Sequence, residues 1–549
     1  MSEEFGFTFD AHEVNARAGQ SLAAALTEAG QRALRQTAKG NSRGMFCGMG
    51  VCQDCLVTVN GVPNRRACMT LAEPGQRVQT QVALPPLSDA VAPAPPARHI
   101  APDVLVIGGG AGGLNAAIAA AGAGARVVVL DERKVPGGQY FKQASGGARA
   151  LDEQQAEGAA LVARARASGA EIIGGVEVWG AFDGPLILAE HGGGALVARP
   201  GKVIVATGAY ERPSMVPGWT LPGVMSTGAA QTLWRSYRSL PGKRVAVCGS
   251  GPLNLQVALE LARGGAKVAL VAETARAPWR HPKDALALVA AGPKLAAKGA
   301  RFVVGLWQRG VPVRHQTDLV RVDPDGTALR ATFRDAAGRE TTVTVEALCM
   351  NDGFEPQNEI LRLFGAAMTF DAGFGHLRCT RDAAMQTSVA GVYAVGDCAG
   401  LGGAPAAAVE GQIAGLAAAG APVPDALTAE LAGHRRFQSR LWALHSPAPH
   451  ALDKAPDDTI ICRCEEITLG QVRAGLADKP GHAGTLKRAT RLGMGRCQGR
   501  YCAAVAARLV AWTTGEPITD HSHFAPRVPI KPVSIAAILA AQEALDGPA

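Results

Sequence analysis

The stretch DVLVIGGGAGG, Asp103–Gly113, runs four consecutive apolar residues straight into a glycine cluster and then into the alanine-rich LNAAIAAAGAG. A short unbroken apolar run followed by a helical pattern reads as a strand buried on both faces feeding a helix, the unit of a parallel α/β sheet. Gly108, Gly110 and Gly113 stand in the order G-x-G-x-x-G across the join. The first glycine permits the turn, the second lets the backbone approach a pyrophosphate, and the third lets helix pack on strand. The helix N-terminus then offers positive potential to phosphates. The following strand, ARVVVLDE, ends at Asp131, placed to hold a ribose hydroxyl pair, with Glu132 as the one-residue alternative.

The same signal recurs downstream. KRVAVCGSGPLN, Lys243–Asn254, keeps Gly249 and Gly251 but sets Asn254 where a third glycine is usual, and its next strand ends at Glu273. An acid there favours a free ribose over a 2′-phosphate, so a ligand of this second turn is expected to be NAD or another adenine dinucleotide rather than NADP. A retained fold without nicotinamide traffic is the equal alternative. No C-x-x-C occurs between residues 101 and 440, where Cys248, Cys349, Cys379 and Cys398 stand singly, which speaks against disulfide reductase chemistry.

Upstream, PPLSDAVAPAPPAR, Pro85–Arg98, carries five prolines and no hydrophobic period, the signature of a semi-rigid linker. It isolates a small N-terminal domain holding FCGMGVCQDC, Phe46–Cys55. With Cys68 this gives Cys47, Cys52, Cys55 and Cys68 as C-x4-C-x2-C-x12-C, whose first spacings match the plant-type [2Fe-2S] pattern. Zinc is the competing metal, although its cysteines usually come as two close pairs. CLVTVNGVPN reads as a hairpin turned at Asn60 and Gly61 that returns the chain to deliver Cys68. Near the other end, Cys462, Cys464, Cys497 and Cys502 form C-x-C-x32-C-x4-C, again suited to a cluster, with Arg463, Arg496 and Arg500 flanking the ligands or salt-bridged on the surface.

At 549 residues, 47% hydrophobic and 19% charged, the chain is long enough for about three or four domains at roughly 100–200 residues each. The formal net charge of +8 comes from scattered rather than clustered basic residues, so no nucleic-acid surface is expected. No run reaches the length of a membrane span, and the acidic start MSEEFGFTFD lacks a signal pattern. The expected location is the cytoplasm, with any association with the inner membrane peripheral and through the electron acceptor. In such a compartment grouped cysteines point to metal or redox chemistry.

The ordered set GGGAGG, PGGQY (with Gly138 and Gln139), VIVATGAYERP (with Thr207 and Gly208) and GVYAVGDCAG resembles the two-dinucleotide flavoproteins. That resemblance implies FAD on the first turn, with Asp397 presented to its ribityl and pyrophosphate. The second cysteine group resembles the bacterioferritin-associated-ferredoxin type of [2Fe-2S] domain, departing from it in the last spacing. From residue 40 to 530 the chain resembles the α-subunit family of hydrogen cyanide synthase, opine oxidase, and hetero-oligomeric proline, hydroxyproline and sarcosine dehydrogenases, with the ferredoxin-like domain fused.

The expected architecture is α/β: a ferredoxin-like α+β [2Fe-2S] domain (1–84), a linker (85–100) and a Rossmann-like two-dinucleotide FAD core (101–450) with its second dinucleotide subdomain at about 240–350. A helical [2Fe-2S] domain (455–515) and a tail (516–549) follow. The resemblance implies a D-amino-acid-oxidase-type flavoprotein partner that oxidises a C–N bond of an amino acid, opine or secondary amine. Electrons would pass from flavin through two [2Fe-2S] clusters to a carrier such as a quinone, the clusters taking them singly. A second nucleotide (NAD, FAD or ATP) and an FMN at the partner interface stay open. No substrate base stands out; His281, His445, His450, His521 and His523 are candidates by chemistry alone. The rival readings are a self-contained NADH-dependent reductase and a non-catalytic scaffold with a structural nucleotide.

Overall fold

The computed structural model describes residues 4–86, 95–445, 455–478 and 481–546. His450 and residues 87–94 of the expected linker lie outside them. Around the opening motif, Val104–Ile107 is buried at every position and occupies the middle of a five-stranded parallel sheet. Its order is Glu171–Gly174, Val127–Asp131, Val104–Ile107, Lys202–Val205, Val392–Ala394. Helices cover it, as a parallel sheet requires. Helix Ala111–Gly122 lies against helix Gly403–Ala418 so closely that a Cβ on Gly411 would stand 2.1 Å from the Gly112 carbonyl oxygen.

A second parallel sheet repeats the plan with Arg244–Gly249 at its centre, flanked by Ala347–Asn351 and Lys267–Glu273 and edged by Val224–Ser226 and Val313–His315. The doubled strand, turn and helix read from the sequence is thus two Rossmann-like sheets. Antiparallel sheets accompany them, one of Thr317–Asp325, Ala328–Asp335 and Glu340–Val345, another built on Val176–Phe182 and its neighbours.

The N-terminal sheet has five strands in the order His12–Arg17, Glu4–Phe9, Arg77–Thr80, Leu56–Val59, Val62–Arg66. Helix Leu22–Glu28 packs on it through Leu22–Leu26, capped by the Ser21 hydroxyl accepting from the Ala24 N–H at 3.2 Å. Asn60 (φ 50°) and Gly61 (φ 81°) make the hairpin turn between Leu56–Val59 and Val62–Arg66, both in the left-handed region such a turn demands. The C-terminal region is helical, Leu469–Asp478, Ala483–Thr490 and Ala503–Thr514, behind a short hairpin of Ile460–Cys462 and Ile467–Thr468. Beyond it the chain crosses back to the Rossmann-like core, where the Ile530 N–H donates to the Trp179 carbonyl at 3.0 Å and Ala541 of helix Ile535–Asp546 is buried against Trp179 and Leu188.

One apolar core unites the two ends of the chain. Phe46, Cys47, Val51 and Cys52 are buried in it together with Tyr210, Trp219, Ile461, Cys462, Cys497, Tyr501 and Cys502. Among the described residues no helix is long and apolar enough to cross a membrane.

Candidate functional site

The first glycine turn is shaped by steric necessity. Gly108 has φ +108°, and a Cβ on Gly113 would stand 1.8 Å from the Gly108 carbonyl oxygen. The PGGQ turn closes on it: a Cβ on Gly138 (φ +66°) would lie 2.8 Å from the Gly110 Cα. Asp131 is buried at the strand end, where Oδ2 accepts from the Gly109 N–H and Oδ1 from the Arg133 N–H, both at 2.8 Å. Burial pushes its carboxyl above the usual range despite those bonds. Glu132 is engaged differently, between Arg66 Nη1 at 2.8 Å and Lys531 Nζ at 2.5 Å. Burial alone would raise it, but Lys531 and then Arg66 hold it down at about 2.

Asp397 reaches the same place from the other side, its Oδ1 accepting from the Gly402 and Gly403 N–H groups at 2.9 Å each, at the start of helix Gly403–Ala418. The Thr207 hydroxyl donates to the Gln357 carbonyl at 2.6 Å, and the Gln357 N–H returns a bond to the Gly208 carbonyl at 2.9 Å. Together these residues line a cavity of about 840 Å³. That size sits in the range of ligand pockets, and the glycine cradle and helix N-terminus fit a dinucleotide.

The second turn opens into the same cavity through Ser250, Gly251 and Pro252. Its acid is held in a related way. Glu273 accepts from the Ala275 N–H, two residues on, at 3.2 Å, as Asp131 does from Arg133, and from the Gly251 N–H at 3.1 Å, one position later in the turn than Gly109. Asn254 substitutes for the missing glycine by bonding across the gap: its Nδ2 donates to the Asn351 carbonyl at 3.0 Å and its Oδ1 accepts from the Thr227 hydroxyl at 2.7 Å. His445 Nδ1 lies 3.7 Å from Glu273, and the Ser250 hydroxyl donates to the His445 carbonyl at 2.6 Å. Of the named histidine candidates that are described, His445 alone lines the cavity. His281 sits 3.9 Å from Asp284, His521 is solvent-exposed, and His523 is half-buried at a separate small pocket and driven down to about 3 by desolvation.

A buried lysine escaped the sequence reading. Lys142 also lines the cavity, and its Nζ donates to Gln139 Oε1 at 2.5 Å and to the Gly228 carbonyl and Thr232 Oγ1 at 3.0 Å each. Its only signal was its place three residues beyond Gln139. Burial, reinforced by Arg133, lowers it to about 7 from an ordinary value near 10.5. Between those two values the unfolded chain binds a proton that the native one does not, so stability rises with pH across that window. Chemical denaturation from about pH 6 to about pH 9 is expected to show a rise of a few kcal/mol that Lys142→Met, which has nothing to titrate, removes.

The two cysteine groups each fold their thiols into pairs. Cys47 is hydrogen-bonded to Cys52 and Cys68 to Cys55; Cys462 is bonded to Cys502 and Cys464 to Cys497. Burial would raise Cys47, yet the Cys52 thiol and the N–H groups of Met49, Cys52 and Val51 bring it down to about 6. Cys462 is lowered to about 7 by Cys502 against burial, helped by the N–H groups of Gly493, Glu465 and Cys464. Such N–H concavities suit thiolate and sulfide charge. Among the described residues no three His, Cys, Asp or Glu side chains gather as a single metal ion needs. Pairs of thiols are the donor set of a two-iron cluster, in which each iron takes two cysteines. Cys248, Cys349, Cys379 and Cys398 are buried and belong to neither group.

Comparison with known proteins agrees with this layout. The family model described as pyridine nucleotide-disulphide oxidoreductase matches residues 102–415, that of a 2Fe-2S iron-sulfur cluster binding domain residues 2–83, and that of the sarcosine oxidase A3 domain residues 459–542. An opine oxidase subunit of Rhizobium meliloti strain 1021 is 33% identical over 451 residues, which is 79% of this chain and 97% of the relative. The chain belongs to the family of this opine oxidase subunit. It is an FAD-dependent oxidoreductase that carries a 2Fe-2S domain. This member of the opine oxidase family also carries a stretch similar to hydrogen cyanide synthase subunit HcnA of Pseudomonas aeruginosa, 47% identical over 68 residues, 12% of this chain and 65% of HcnA. The fold is shared with L-proline dehydrogenase from P. horikoshii, at TM-score 0.74 and 21% identity over 98% of both chains.

Proposed function

We propose that the chain is the electron-transfer subunit of a hetero-oligomeric dehydrogenase that oxidises a C–N bond of an amino acid, opine or secondary amine. The domain division 1–84, 101–450 and 455–515 is part of that reading. The observation that carries it is a continuous buried path. Met49 and Val51, from between Cys47 and Cys52, line the dinucleotide cavity, and the same loop shares its core with Cys462, Cys497 and Cys502. FAD supplies two-electron uptake and [2Fe-2S] clusters supply single-electron steps.

The chain's own residues hold these groups. Gly108, Gly110 and Gly113 would cradle the pyrophosphate, Asp397 would face the ribityl end, and Gly138, Gln139, Thr207 and Gly208 would border the ring. Asp131 orders the turn and, with Glu132 beside it, would close the ribose end. Cys47, Cys52, Cys55 and Cys68 hold one cluster, and Cys462, Cys464, Cys497 and Cys502 hold the second. The related wiring of Asp131 and Glu273 supports an adenine nucleotide with a free 2′-hydroxyl on Gly249 and Gly251.

The catalytic partner in this reading is a second flavoprotein, as the relatives' designation as subunits supports. Helices Pro282–Ala291 and Pro293–Gln308 turn Leu286, Val289, Val303, Val304 and Trp307 to solvent, with Trp307 78% exposed. Val289, Val303 and Val304 also rim the cavity, so a flavoprotein seated there sits beside the electron path. Co-expression with candidate flavoproteins and a substrate screen read by flavin bleaching tests the function. Leu286→Glu with Trp307→Glu is expected to abolish co-purification and substrate-driven bleaching while the flavin stays bound. Rapid bleaching by NADH in the isolated chain favours the self-contained reductase, for which the opening of the second turn into the same cavity is the supporting observation.

A further inference from the structure

Asp54 stands between Cys52 and Cys55, and Arg463 between Cys462 and Cys464, so each carries its charge within two residues of two thiols. They are 409 positions apart in the chain, yet Arg463 Nε donates to Asp54 Oδ2 at 2.6 Å. Asp54 is 0% and Arg463 4% exposed. Burying two opposite charges costs desolvation that their attraction barely repays, so stability alone gives little reason for the pair.

Both partners are held in place. Arg35 Nη2 grips the other Asp54 oxygen at 2.6 Å, and Arg463 Nη1 donates to the Trp219 carbonyl at 3.0 Å. The Arg463 guanidinium lies 4.0 Å from the Phe46 ring centroid and 4.7 Å from that of Trp219. Phe46 precedes Cys47, and its ring meets Tyr501 edge-on at 5.5 Å, one residue before Cys502. Around this centre Arg43 and Asn41 of the N-terminal domain both bond Glu466 Oε1 at 2.8 Å. Covalent bonds and packed contacts therefore run from one set of thiols to the other.

We propose that the Asp54–Arg463 ion pair is the electrical joint between the two cysteine-held centres, fixing their separation and biasing the shared electron toward the Cys462/Cys464 side. The inference rests on both cysteine groups being [2Fe-2S] ligands. By chain position the anion is next to Cys55 and the cation lies between Cys462 and Cys464; because the Asp54 charge bears on Cys464 as well as on Cys52, Arg463 is the charge that makes an added electron favourable on the second side. The step is balanced. One electron, originating in the substrate-reduced flavin, leaves the first centre, which is oxidised, and enters the second, which is reduced; no bond breaks and no proton crosses.

The test is a potentiometric titration of the purified full chain followed by low-temperature electron paramagnetic resonance, with iron and acid-labile sulfide assayed in parallel. Arg463→Gln is expected to lower the ratio of reduced second to reduced first centre at fixed potential about tenfold, which for a one-electron couple is about 59 mV. Arg463→Lys, which keeps the charge, restores most of that ratio. The double substitution Asp54→Asn with Arg463→Gln removes both charges of the pair together while keeping an amide oxygen to accept from Arg35, and so guards against misfolding. It is expected to show a fall in the same direction with full iron content. Wild-type protein holding iron for one cluster only overturns the ligand reading and the joint with it. Two clusters present, with the ratio unchanged in both Arg463→Gln and the double variant, overturns the joint alone.

Discussion

Gly113→Ala is expected to yield protein without flavin. The added Cβ would stand 1.8 Å from the Gly108 carbonyl oxygen and 3.1 Å from a Val106 methyl, well inside van der Waals contact on backbone that has nowhere to go. Overpacking of this kind typically costs about 1–3 kcal/mol, and it is relieved only by prising the helix off the strand. That motion moves the Gly110 N–H and the helix N-terminus, the groups that face the phosphates. A loss of at least about 100-fold in FAD affinity follows, near 3 kcal/mol. The control lies on the same helix: a Cβ on Gly122 meets nothing within 4 Å, so Gly122→Ala is expected to keep its flavin and gain about 0.4–1 kcal/mol of stability. Visible flavin absorbance per protein, with circular dichroism to verify folding, reads both. A folded Gly113→Ala with full flavin would refute the assignment of the turn.

These positions were legible in the sequence because they are local. A glycine demanded by positive φ or close approach is set by its own few neighbours, so Gly108, Gly113, Gly249 and the Asn60–Gly61 hairpin could be read from the chain alone. The cysteine spacings were legible for the same reason, since a loop wrapping a small object fixes its own intervals. Which thiol pairs with which was not, because Cys55 meets Cys68 only after a hairpin returns the chain.

The long-range polar contacts were invisible. Arg463 and Arg500 read as flanking or surface charges, but both are buried, Arg463 on Asp54 and Arg500 2.9 Å from Glu359. Nothing in a sequence pattern marks an ion pair that forms across separate domains. Nor did spacing distinguish the work of Asp131 from that of its neighbour: one acid turns onto the glycine turn's N–H groups, the other onto Arg66 and Lys531, and that choice depends on two segments remote in sequence. Lys142 was missed because a lysine is expected outside, and only the assembled walls of the cavity take it out of water.

Cys462→Ala is expected to remove one of two iron-sulfur signals completely while leaving the flavin and the other signal in place. Cys462 is 2% exposed and bonded to the Cys502 thiol, with three backbone N–H groups converging on its sulfur, so no water or spare side chain stands ready to replace it. An iron deprived of one of its two cysteines loses the cluster, and iron and sulfide per chain are expected to fall by about half. Because Cys462 and Cys502 would serve the same iron of the proposed second cluster, adding Cys502→Ala should cost nothing further. Cys52→Ala should remove the other signal instead, and the two substitutions together both. The alternative of a zinc site makes the opposite forecast: metal would assay as zinc, no paramagnetic signal would appear on reduction, and dithionite would bleach only the flavin. The physical ground for expecting iron is the spacing together with the backbone N–H groups. Zinc cysteines usually come as two close pairs about one point, whereas C-x4-C-x2-C follows the plant-type two-iron spacing, and the N–H groups donating to Cys47 and Cys462 suit the extra negative charge of bridging sulfide.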